Sequence, residues 1–459
     1  MMAMTEEFSV RGRRVVVVGA ARSGVAAAEL LVRRGAQVTL TDRRARVEDA
    51  ARLQTIGLAL ELGGHKDSTF AQADLIVVSP GVPTEQDVFE GARARGVEII
   101  GELELASRWL KGRVIAITGT KGKSTTTTLI GRMLTAARHT APVGGNIGVP
   151  LSTQVEASTP ETFHVVETSS FQLESTTTFK PWVAVWLNLA ADHLDRHPSV
   201  EAYAAAKARV FANQTSTDWA VVNADDALVM RYAESTAATP VPFSLAQPAV
   251  DGFVVDGTWI GRRTGTRVAR LIPLSAVELT GRHMLNNVLA ATAVASIVGA
   301  TPEEMTAALA GFHGLEHVME PVGTIDGVRF VNDSKATNVE AARASIESFD
   351  GGVVAIVGGH YKGGNLGELG EALRARGGSA VAIGDSASAV TDAIAPFVAT
   401  VSARSMGEAV ELAFAQAKPA GVVLLAPACA SFDWFRDYAE RGRAFKDEVA
   451  RLRASRHEA

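Results

Sequence analysis

A β-branched run, a glycine-rich turn and an alanine- and leucine-rich stretch recur in that order along this chain. In the first repeat, a strand is predicted at Val15–Val18, a turn at Gly19–Gly24 and a helix over roughly Val25–Arg34. Strands that alternate with helices in this way form a parallel sheet with helices on its faces. The sequence therefore predicts an α/β protein whose ligand-binding loops follow the carboxyl ends of the strands.

Three such units divide the chain. Its 459 residues are more than one hydrophobic core usually serves. We place the boundaries near residues 103 and 314, which gives domains over 1–103, 104–314 and 315–459. The first and third are expected to be Rossmann-like, and the central one to contain a P-loop and a parallel sheet. Alternating strands over Val250–Leu279 predict a β-rich flap in the central unit.

Composition excludes several classes of protein. Hydrophobic residues make up 47% and charged residues 21%, which is ordinary for a soluble globular protein. A net charge of −5 gives no indication of a nucleic acid or anionic membrane partner. The longest weakly polar run, Val288–Ala300, is too short to span a bilayer. The acidic N-terminus lacks a signal segment, and the only cysteine, Cys429, is expected to be packed. We expect a cytoplasmic monomer.

The segment RVIAITGTKGKSTTTTLIG predicts a nucleotide site. The usual phosphate loop reads GxxxxGK[ST], and its first glycine is replaced here by Ile117. Backbone amides of such a loop can wrap phosphate oxygens, its lysine can reach the β- and γ-phosphates, and a hydroxyl can bind Mg²⁺. A threonine-rich helix cap is the structural alternative. The glycines, lysine and serine that the loop contains are Gly119, Gly122, Lys123 and Ser124.

The first glycine loop, GAARSG, is less specific. It resembles a dinucleotide fingerprint whose middle glycine is Ala21, and Asp42 follows about where a ribose-binding acid is expected. Taken alone, it is compatible with NAD, with another nucleotide or with a structural turn. In each nucleotide case, backbone N–H groups would face a diphosphate.

Acidic and imidazole groups follow two further strands. Glu167 lies in VVETSSFQLE, and His193 and His197 lie in DHLDRHP. The two histidines have the spacing of zinc proteases, but Leu194 replaces the general base and Pro198 ends any helix. A carboxylate, an imidazole and a P-loop hydroxyl are candidate Mg²⁺ or Mn²⁺ ligands, with structural roles equally open. There is no GxSxG elbow to support a serine hydrolase.

Lysines complete the set of candidates. By composition, Lys207 in AAAKARVF is a solvated helix lysine, and His313 and His317 are loop histidines. In the third unit, NDSKATN and GGHYKGG place Lys335 and Lys362 at strand ends, where two cations suit a dicarboxylate substrate.

Together these motifs resemble the Mur ligases. The segments occur in the family's order over nearly the whole chain: GTKGKSTTTTLIG, VGGNIGVPL, VETSSFQLE, LNLAADHLDRHP, GRHMLNN, FVNDSKATN, GGHYKGG and APACASFDWF. The third-unit motifs are the most specific, because sister ligases usually carry Asp with a nearby His in place of NDSKATN. The resemblance implies ATP-dependent joining of D-glutamate to UDP-N-acetylmuramoyl-L-alanine in peptidoglycan synthesis. The path would run through an acyl phosphate and release ADP and phosphate.

The resemblance also implies roles for individual residues. Lys123 would contact the transferred phosphoryl group, and Lys207 would be carbamylated by CO₂ so that it can serve the metal. The metal, Mg²⁺ with Mn²⁺ as an alternative, would be held by Ser124, Thr125, Glu167, His193 and Lys207. Besides Lys123, ATP would contact Gly119, Thr120, Lys121, Gly122, Ser124, Thr125, Asn287 and Asp333.

Two substrate sites follow in the same way. The first glycine loop becomes a UDP site rather than an NAD site, and the UDP-muramoyl substrate would contact Ser23, Asp42, Arg44, Ser79, Asn146 and His193. D-glutamate would contact Lys335, Thr337, Lys362, Ser431, Phe432 and Tyr438.

Two positions depart from the family's pattern. Met284 replaces an asparagine of HNxxN, and Val318 stands where many relatives carry an arginine directed toward the ATP phosphates. Loss of a guanidinium there would weaken stabilisation of the transition state. Two alternatives therefore remain at this point. One is a sister ligase that adds another amino acid, or adds glutamate to a folate, and the other is a nucleotide-binding protein without catalysis.

Overall fold

The computed structural model describes residues 8–47, 49–83, 87–193, 196–247, 251–279, 282–361 and 363–457, with only the backbone at 282, 283 and 457. Two compact units are present. The first contains the chain up to Glu278 and resumes over Arg282–Ala310, and the second contains the chain from Gly311 onward. No helix within the described ranges is long and apolar enough to cross a membrane.

The first unit begins with a five-stranded parallel sheet. Its strands are β1 (Arg14–Val18), β2 (Gln37–Asp42), β3 (Ala59–Leu62), β4 (Leu75–Val78) and β5 (Ile99–Gly101). The helices are α1 (Arg22–Arg33), α2 (Ala50–Thr55), α3 (Asp67–Ala71), α4 (Asp87–Ala94) and α5 (Glu102–Ser107). The strand order is β3-β2-β1-β4-β5, so the chain reverses direction across the sheet beside β1, where open α/β sheets bind ligands.

A nine-stranded sheet follows in the same unit. Its strands are β6 (Arg113–Thr118), β7 (Val143–Gly145), β8 (Phe163–Glu167), β9 (Val183–Trp186), β10 (Trp219–Asn223), β11 (Thr239–Ser244), β12 (Phe253–Asp256), β13 (Trp259–Thr264) and β14 (Arg267–Pro273). The helices are α6 (Lys123–Ala136), α7 (Ser170–Glu174), α8 (Val200–Ala208), α9 (Ala227–Ala233), α10 (Arg282–Val298) and α11 (Pro302–Leu309), and 3₁₀ turns cover Leu151–Gln154, Arg209–Phe211 and Leu274–Ala276.

The strand order of this sheet is β14-β13-β12-β11-β10-β9-β6-β8-β7. Strands β6 to β12 pair in parallel, whereas β13 is antiparallel to both β12 and β14. The β-rich flap is therefore confirmed as an antiparallel extension of the sheet, and the first residue of its predicted range, Val250, lies outside the described residues.

The second unit contains a six-stranded sheet. Its strands are β15 (Glu320–Ile325), β16 (Val328–Asn332), β17 (Val353–Gly358), β18 (Ser379–Ile383), β19 (Thr400–Ser402) and β20 (Val422–Leu425), in the order β15-β16-β20-β17-β18-β19. Only β15 is antiparallel to its neighbour. The helices are α12 (Val339–Glu347), α13 (Gly367–Ala375), α14 (Ala387–Ile394), α15 (Met406–Ala417) and α16 (Tyr438–His457).

These three sheets confirm the predicted fold class. Their inner strands, such as β4, β17 and β20, are buried apolar runs, as expected for parallel strands covered on both faces. The helix predicted from Val25 begins three residues earlier, at Arg22. The boundaries near residues 103 and 314 stay predictions, and α5 spans the first of them.

Glu104 joins α5 to the loop after α7 through a buried carboxylate. Its oxygens accept hydrogen bonds from the backbone N–H groups of Thr177, Thr178 and Phe179 at 2.9–3.1 Å, and from Arg108 Nε at 2.9 Å. Burial raises the pKa of Glu104, but the hydrogen bonds outweigh burial and the net pKa is lowered. The charged carboxylate therefore fixes the seam between the first two sheets.

Glu102, on the same helix, has the opposite environment. It is buried, and its Oε1 accepts a hydrogen bond from the Ser152 N–H at 2.6 Å. Its Oε2 has no hydrogen-bond partner among the described residues. Burial raises the pKa of Glu102 despite the contacts with Ser152. Burial therefore disfavours the ionised form of this carboxyl.

We expect Glu104→Gln and Glu102→Gln to shift the melting temperature in opposite directions at pH 8. The first removes a paired charge and turns an amide toward N–H donors, which costs about 2–3 kcal/mol. The second replaces a buried carboxyl, whose ionised form burial disfavours, with an amide that cannot ionise, so it stabilises the protein.

The pH dependence of the two variants should also differ. The lowered pKa of Glu104 gives stability that is present above the unfolded value, about 4.3, and lost as the pH falls through the folded pKa. The raised pKa of Glu102 gives stability that is complete below about 4.3 and lost as the pH rises through the folded pKa. Thermal unfolding from pH 3 to 8 measures both, and parallel shifts would contradict the assignment.

Candidate functional site

The loop between β6 and α6 has the backbone of a phosphate-binding loop. Gly119 and Gly122 have φ values of +148° and +81°, a region that side chains rarely adopt. A Cβ at Gly122 would lie 2.2 Å from Asn287 Oδ1, so only glycine allows α10 to approach the loop this closely. The predicted nucleotide residues of the loop and Asn287 are thus brought together.

The Lys123 side chain folds over this loop. Its Nζ donates hydrogen bonds to the carbonyl oxygens of Gly119 and Thr120, each at 2.9 Å. These carbonyls therefore hold the ammonium group at the mouth of the loop, where a phosphate would face it.

Asn188 holds the loop in place from the end of β9. Its Oδ1 accepts hydrogen bonds from the N–H groups of Thr120 at 3.1 Å and Lys121 at 2.8 Å, and its Nδ2 donates to the Lys121 carbonyl at 3.0 Å. The sequence analysis missed this residue, although its position just after a buried strand was an available signal.

Glu167, the last residue of β8, connects two predicted site residues. It is 2% exposed, and its Oε2 accepts a hydrogen bond from Ser124 Oγ at 2.7 Å. Its Oε1 accepts one from Asn146 Nδ2, also at 2.7 Å. The P-loop hydroxyl and the GGNIG loop therefore meet at one carboxylate.

Lys207 lies against the same loop. It is 1% exposed, so the expectation of a solvated helix lysine is wrong; α8 packs it inward, and its Nζ donates to the Gly119 carbonyl at 2.8 Å. The ammonium also lies 4.4 Å from the centre of the Tyr203 ring. Burial, followed by the positive charge of Lys123, lowers the pKa of Lys207 well below its usual value. Both effects disfavour the ammonium form of Lys207.

The two histidines of DHLDRHP have different environments. His193 has a φ of +55°, and its side chain is 44% exposed. Its ring packs edge to face with that of Phe171, with 5.0 Å between the two ring centroids. His197 is buried, with Nε2 3.0 Å from Ser170 Oγ and Nδ1 3.2 Å from Glu174 Oε1. His197 thus has a structural role, which agrees with the rejection of a zinc protease pair.

Asp42, the last residue of β2, forms hydrogen bonds within the first sheet's own loops. Its carboxylate accepts hydrogen bonds from the Ala20 N–H at 2.7 Å and from Arg44 Nε at 3.0 Å. The hydrogen bond from Arg44 is the main cause that holds the pKa of Asp42 well below its usual range. Ser79 Oγ donates to the Gly19 carbonyl at 3.0 Å. Ser23 lies in the first turn of α1, at the same edge of the sheet.

In the second unit, Asp333 follows β16. Its Oδ1 accepts a hydrogen bond from the Met319 N–H at 3.1 Å, and its Oδ2 accepts one from Ser345 Oγ. The backbone N–H of Lys335 donates to the His317 carbonyl at 3.1 Å. His317 is buried, beside Asn332, rather than a simple loop histidine.

The other predicted glutamate contacts vary in exposure. Ser431 is buried, Phe432 is 72% exposed and Tyr438 is 39% exposed. Thr337 follows Lys335 in the loop before α12, and Lys362 lies outside the described residues.

Arg441, which the sequence analysis missed, ties two of these loops together. It is 1% exposed, and it donates to the carbonyls of Ser334 at 2.8 Å and Cys429 at 3.0 Å. Burial lowers its pKa to about 10. Its i, i+4, i+8 spacing with the buried Phe445 and Val449 was the available signal, because it places Arg441 on the inner face of α16. Cys429 is buried, as predicted.

Comparison with known proteins identifies the family. The Mur ligase MurD-like N-terminal domain matches residues 13–101, the Mur ligase middle domain residues 117–295, and the Mur ligase glutamate ligase domain residues 319–429. This chain belongs to the Mur ligase family. The predicted resemblance is therefore confirmed.

Individual relatives of this Mur ligase cover nearly its whole length. It is 44% identical over 447 residues to UDP-N-acetylmuramoylalanine–D-glutamate ligase of Acidobacterium capsulatum, covering 96% of this chain and 97% of that one. It is 42% identical over 448 residues to the enzyme of the same name from Desulfosudis oleivorans, covering 97% and 98%.

Solved structures share the fold. A pseudomurein peptide ligase type C from Methanothermus fervidus gives a TM-score of 0.59 at 17% identity, covering 96% of this chain and all of that one. UDP-N-acetylmuramate–alanine ligase from Thermotoga maritima gives a TM-score of 0.59 at 18% identity with the same coverage.

The residues at the start of α6 fit a metal that accompanies a nucleotide. Mg²⁺ takes oxygen ligands and is commonly bound through one or two carboxylates together with substrate phosphates. The Glu167 carboxylate and Ser124 hydroxyl are such donors, 2.7 Å apart. Among the described residues, no cluster of three or more His, Cys, Asp or Glu could hold a metal by itself. Phosphate oxygens would therefore complete the coordination.

The two departures in this Mur ligase have different surroundings. Met284 is buried on α10, and Asn287 Nδ2 lies 3.4 Å from its sulfur. The Met284 sulfur thus contacts the side-chain amide of Asn287, which is the asparagine of the HNxxN pattern that this chain retains. The backbone N–H of Val318 donates to the Leu315 carbonyl at 3.1 Å, within the loop before β15.

We expect Asn188→Ala to raise the KM for ATP about tenfold, because three hydrogen bonds that shape the loop are lost. Steady-state kinetics with ATP varied would measure the change. Asn213→Ala is the matched control, since Asn213 also donates to backbone carbonyls, those of Thr177 and Phe179, but not to the P-loop. Equal effects of the two substitutions would refute a specific role for Asn188.

Proposed function

We propose that this protein catalyses the ATP-dependent ligation of D-glutamate to UDP-N-acetylmuramoyl-L-alanine, a step of peptidoglycan synthesis that releases ADP and phosphate. The observation that carries the proposal is the hydrogen-bonded series of Asn146, Glu167 and Ser124 at the P-loop. This series lies in a chain 44% identical to a D-glutamate ligase over nearly its full length.

The chemistry proceeds through an acyl phosphate. The substrate carboxylate attacks the γ-phosphorus of ATP, and the bond to the β-phosphate oxygen breaks to release ADP. The D-glutamate amine then attacks the activated carbonyl, loses a proton, and the tetrahedral intermediate expels phosphate. Each step needs positioned cations rather than a protein nucleophile. Lys123 would supply one of them, since its ammonium already lies on the loop carbonyls.

Mg²⁺, or Mn²⁺ in its place, would neutralise charge between the phosphates when bound. We assign its protein ligands to Ser124, Thr125, Glu167, His193 and a modified Lys207. Buried Thr125 follows Ser124 on the first turn of α6. His193 and Lys207 both lie near the Tyr203 ring, which supports a shared site.

We further propose that Lys207 carries a carbamate. Carbamylation joins the lysine nitrogen to the carbon of CO₂ and releases a proton, and only a neutral amine can begin it. The lowered pKa of Lys207 supports this step, because burial and Lys123 disfavour the ammonium form. The product is an anion beside two cationic partners, the metal and Lys123.

The remaining assignments follow the family's pattern. Asn287 and Asp333 would contact adenosine, and the UDP-muramoyl substrate would contact Ser23, Asp42, Arg44, Ser79, Asn146 and His193. The dicarboxylate D-glutamate would be bound by Lys335, Thr337, Lys362, Ser431, Phe432 and Tyr438. The buried Arg441 would set the shape of this pocket through the carbonyls of Ser334 and Cys429.

Phosphate release tests the function directly. The purified protein, ATP, Mg²⁺ and UDP-N-acetylmuramoyl-L-alanine would be combined with D-glutamate, L-glutamate, L-lysine or no amino acid. We expect sustained release with D-glutamate alone. Sustained release with another amino acid would indicate a sister ligase, and bound ATP without release in any tube would indicate a protein that has lost catalysis.

Lys207→Arg should lower kcat about 100-fold, because a guanidinium stays positively charged and does not add CO₂. Carbon-13 NMR after incubation with labelled bicarbonate should show a carbamate signal in the unmodified protein and lose it in the variant. Lys180→Arg, at an exposed lysine paired with Asp218, is the control and should keep both signal and rate. A signal that persists in Lys207→Arg would place the carbamate elsewhere.

A further inference from the structure

Helix α1 lies along the chain from the end of the GGNIG loop to Glu156, and it contacts this stretch at both ends. Near its start, Arg22 Nη2 donates a hydrogen bond to the Gly148 carbonyl. Past its end, Arg34 forms an ion pair with Glu156 at 3.0 Å. Between them, Leu30 belongs to the buried cluster that contains Leu151. These contacts thus fix the first glycine loop and the GGNIG loop relative to each other.

Arg22 differs from the other residues of this seam in its position and chemistry. It is the first residue of α1, immediately before Ser23, and its side chain is exposed at the edge where the UDP substrate is expected. A guanidinium has five N–H donors in a planar fork, which matches phosphate oxygens. The hydrogen bond to Gly148 uses one of them, so donors remain for a diphosphate.

The contact also connects this edge of the first sheet to the P-loop. Gly148 lies two residues after Asn146, whose amide donates to Glu167, and Glu167 accepts the Ser124 hydroxyl. A second arginine bridges the same pair of sheets, since Arg196 Nη2 lies 3.4 Å from the Val82 carbonyl. Arg22 therefore contacts the same loop whose Asn146 donates to Glu167.

We propose that Arg22 is a substrate-positioning residue, which binds the diphosphate of the UDP-muramoyl substrate and ties it to the GGNIG loop through Gly148. This inference rests on the proposed function. It assigns the diphosphate a side-chain cation, whereas the predicted contacts at this edge supply hydroxyls, the paired Asp42–Arg44 and backbone N–H groups. Arg22 would thereby place the muramoyl end over the P-loop.

The test compares Arg22→Gln and Arg22→Lys with Arg33→Gln in the full-length enzyme. Arg33 lies on the same helix, and its ion pair with Glu29 spans 3.9 Å. We expect Arg22→Gln to raise the KM for the UDP-muramoyl substrate about 10- to 100-fold, as when a charge-assisted hydrogen bond is lost. The KM for ATP should stay unchanged, Arg22→Lys should be intermediate, and Arg33→Gln should match the unmodified enzyme.

A truncated substrate separates diphosphate binding from a purely structural role. With muramoyl-L-alanine 1-phosphate, which lacks the second phosphate and the uridine, the penalty of Arg22→Gln should shrink by at least half on a logarithmic scale. An equal penalty with both substrates would overturn the proposal, as would an unchanged KM for the UDP substrate. Arg22→Lys gives the same comparison should Arg22→Gln fail to fold. Failure of the proposed function is distinguishable, because the unmodified enzyme would then not ligate D-glutamate.

Discussion

Two lysine side chains donate to one carbonyl oxygen, that of Gly119, and the chemistry of the first unit depends on this contact. Lys123 approaches it at 2.9 Å and Lys207 at 2.8 Å. Two ammonium groups this close repel each other, and burial of Lys207 weakens the screening by water. One of the two charges is therefore costly until an anion arrives. Burial and this repulsion both disfavour the ammonium form of Lys207.

The surrounding residues keep that carbonyl where both lysines can reach it. Asn188 holds the backbone of the loop, and the positive φ of Gly119 turns its peptide. Glu167 accepts hydrogen bonds from the hydroxyl of Ser124 and from the side-chain amide of Asn146. The Glu167 carboxylate partly balances the positive charge of nearby Lys207, and its remaining lone pairs are available to the metal proposed above.

The parts of the site that local sequence determines could be predicted. A strand, a glycine turn and a helix predict the P-loop, because that pattern is contained in one supersecondary unit, whereas GAARSG with Asp42 left NAD, another nucleotide and a structural turn open. Parts that depend on packing between distant segments could not. Burial of Lys207 follows from how α8 lies on the sheet, and composition alone indicated the opposite. Asn188 and Arg441 form hydrogen bonds with backbone groups of distant loops. A sequence motif does not show such contacts, because every residue has the same backbone groups.

Arg441 also has a consequence for the order in which the protein matures during synthesis. All six strands of the last sheet precede it in the chain, so the sheet can assemble on the ribosome before α16 has emerged. The loops at Ser334 and Cys429 gain their shared guanidinium only afterwards. A nascent chain can therefore have a folded third sheet while the loops at Ser334 and Cys429 still lack the arginine that joins them.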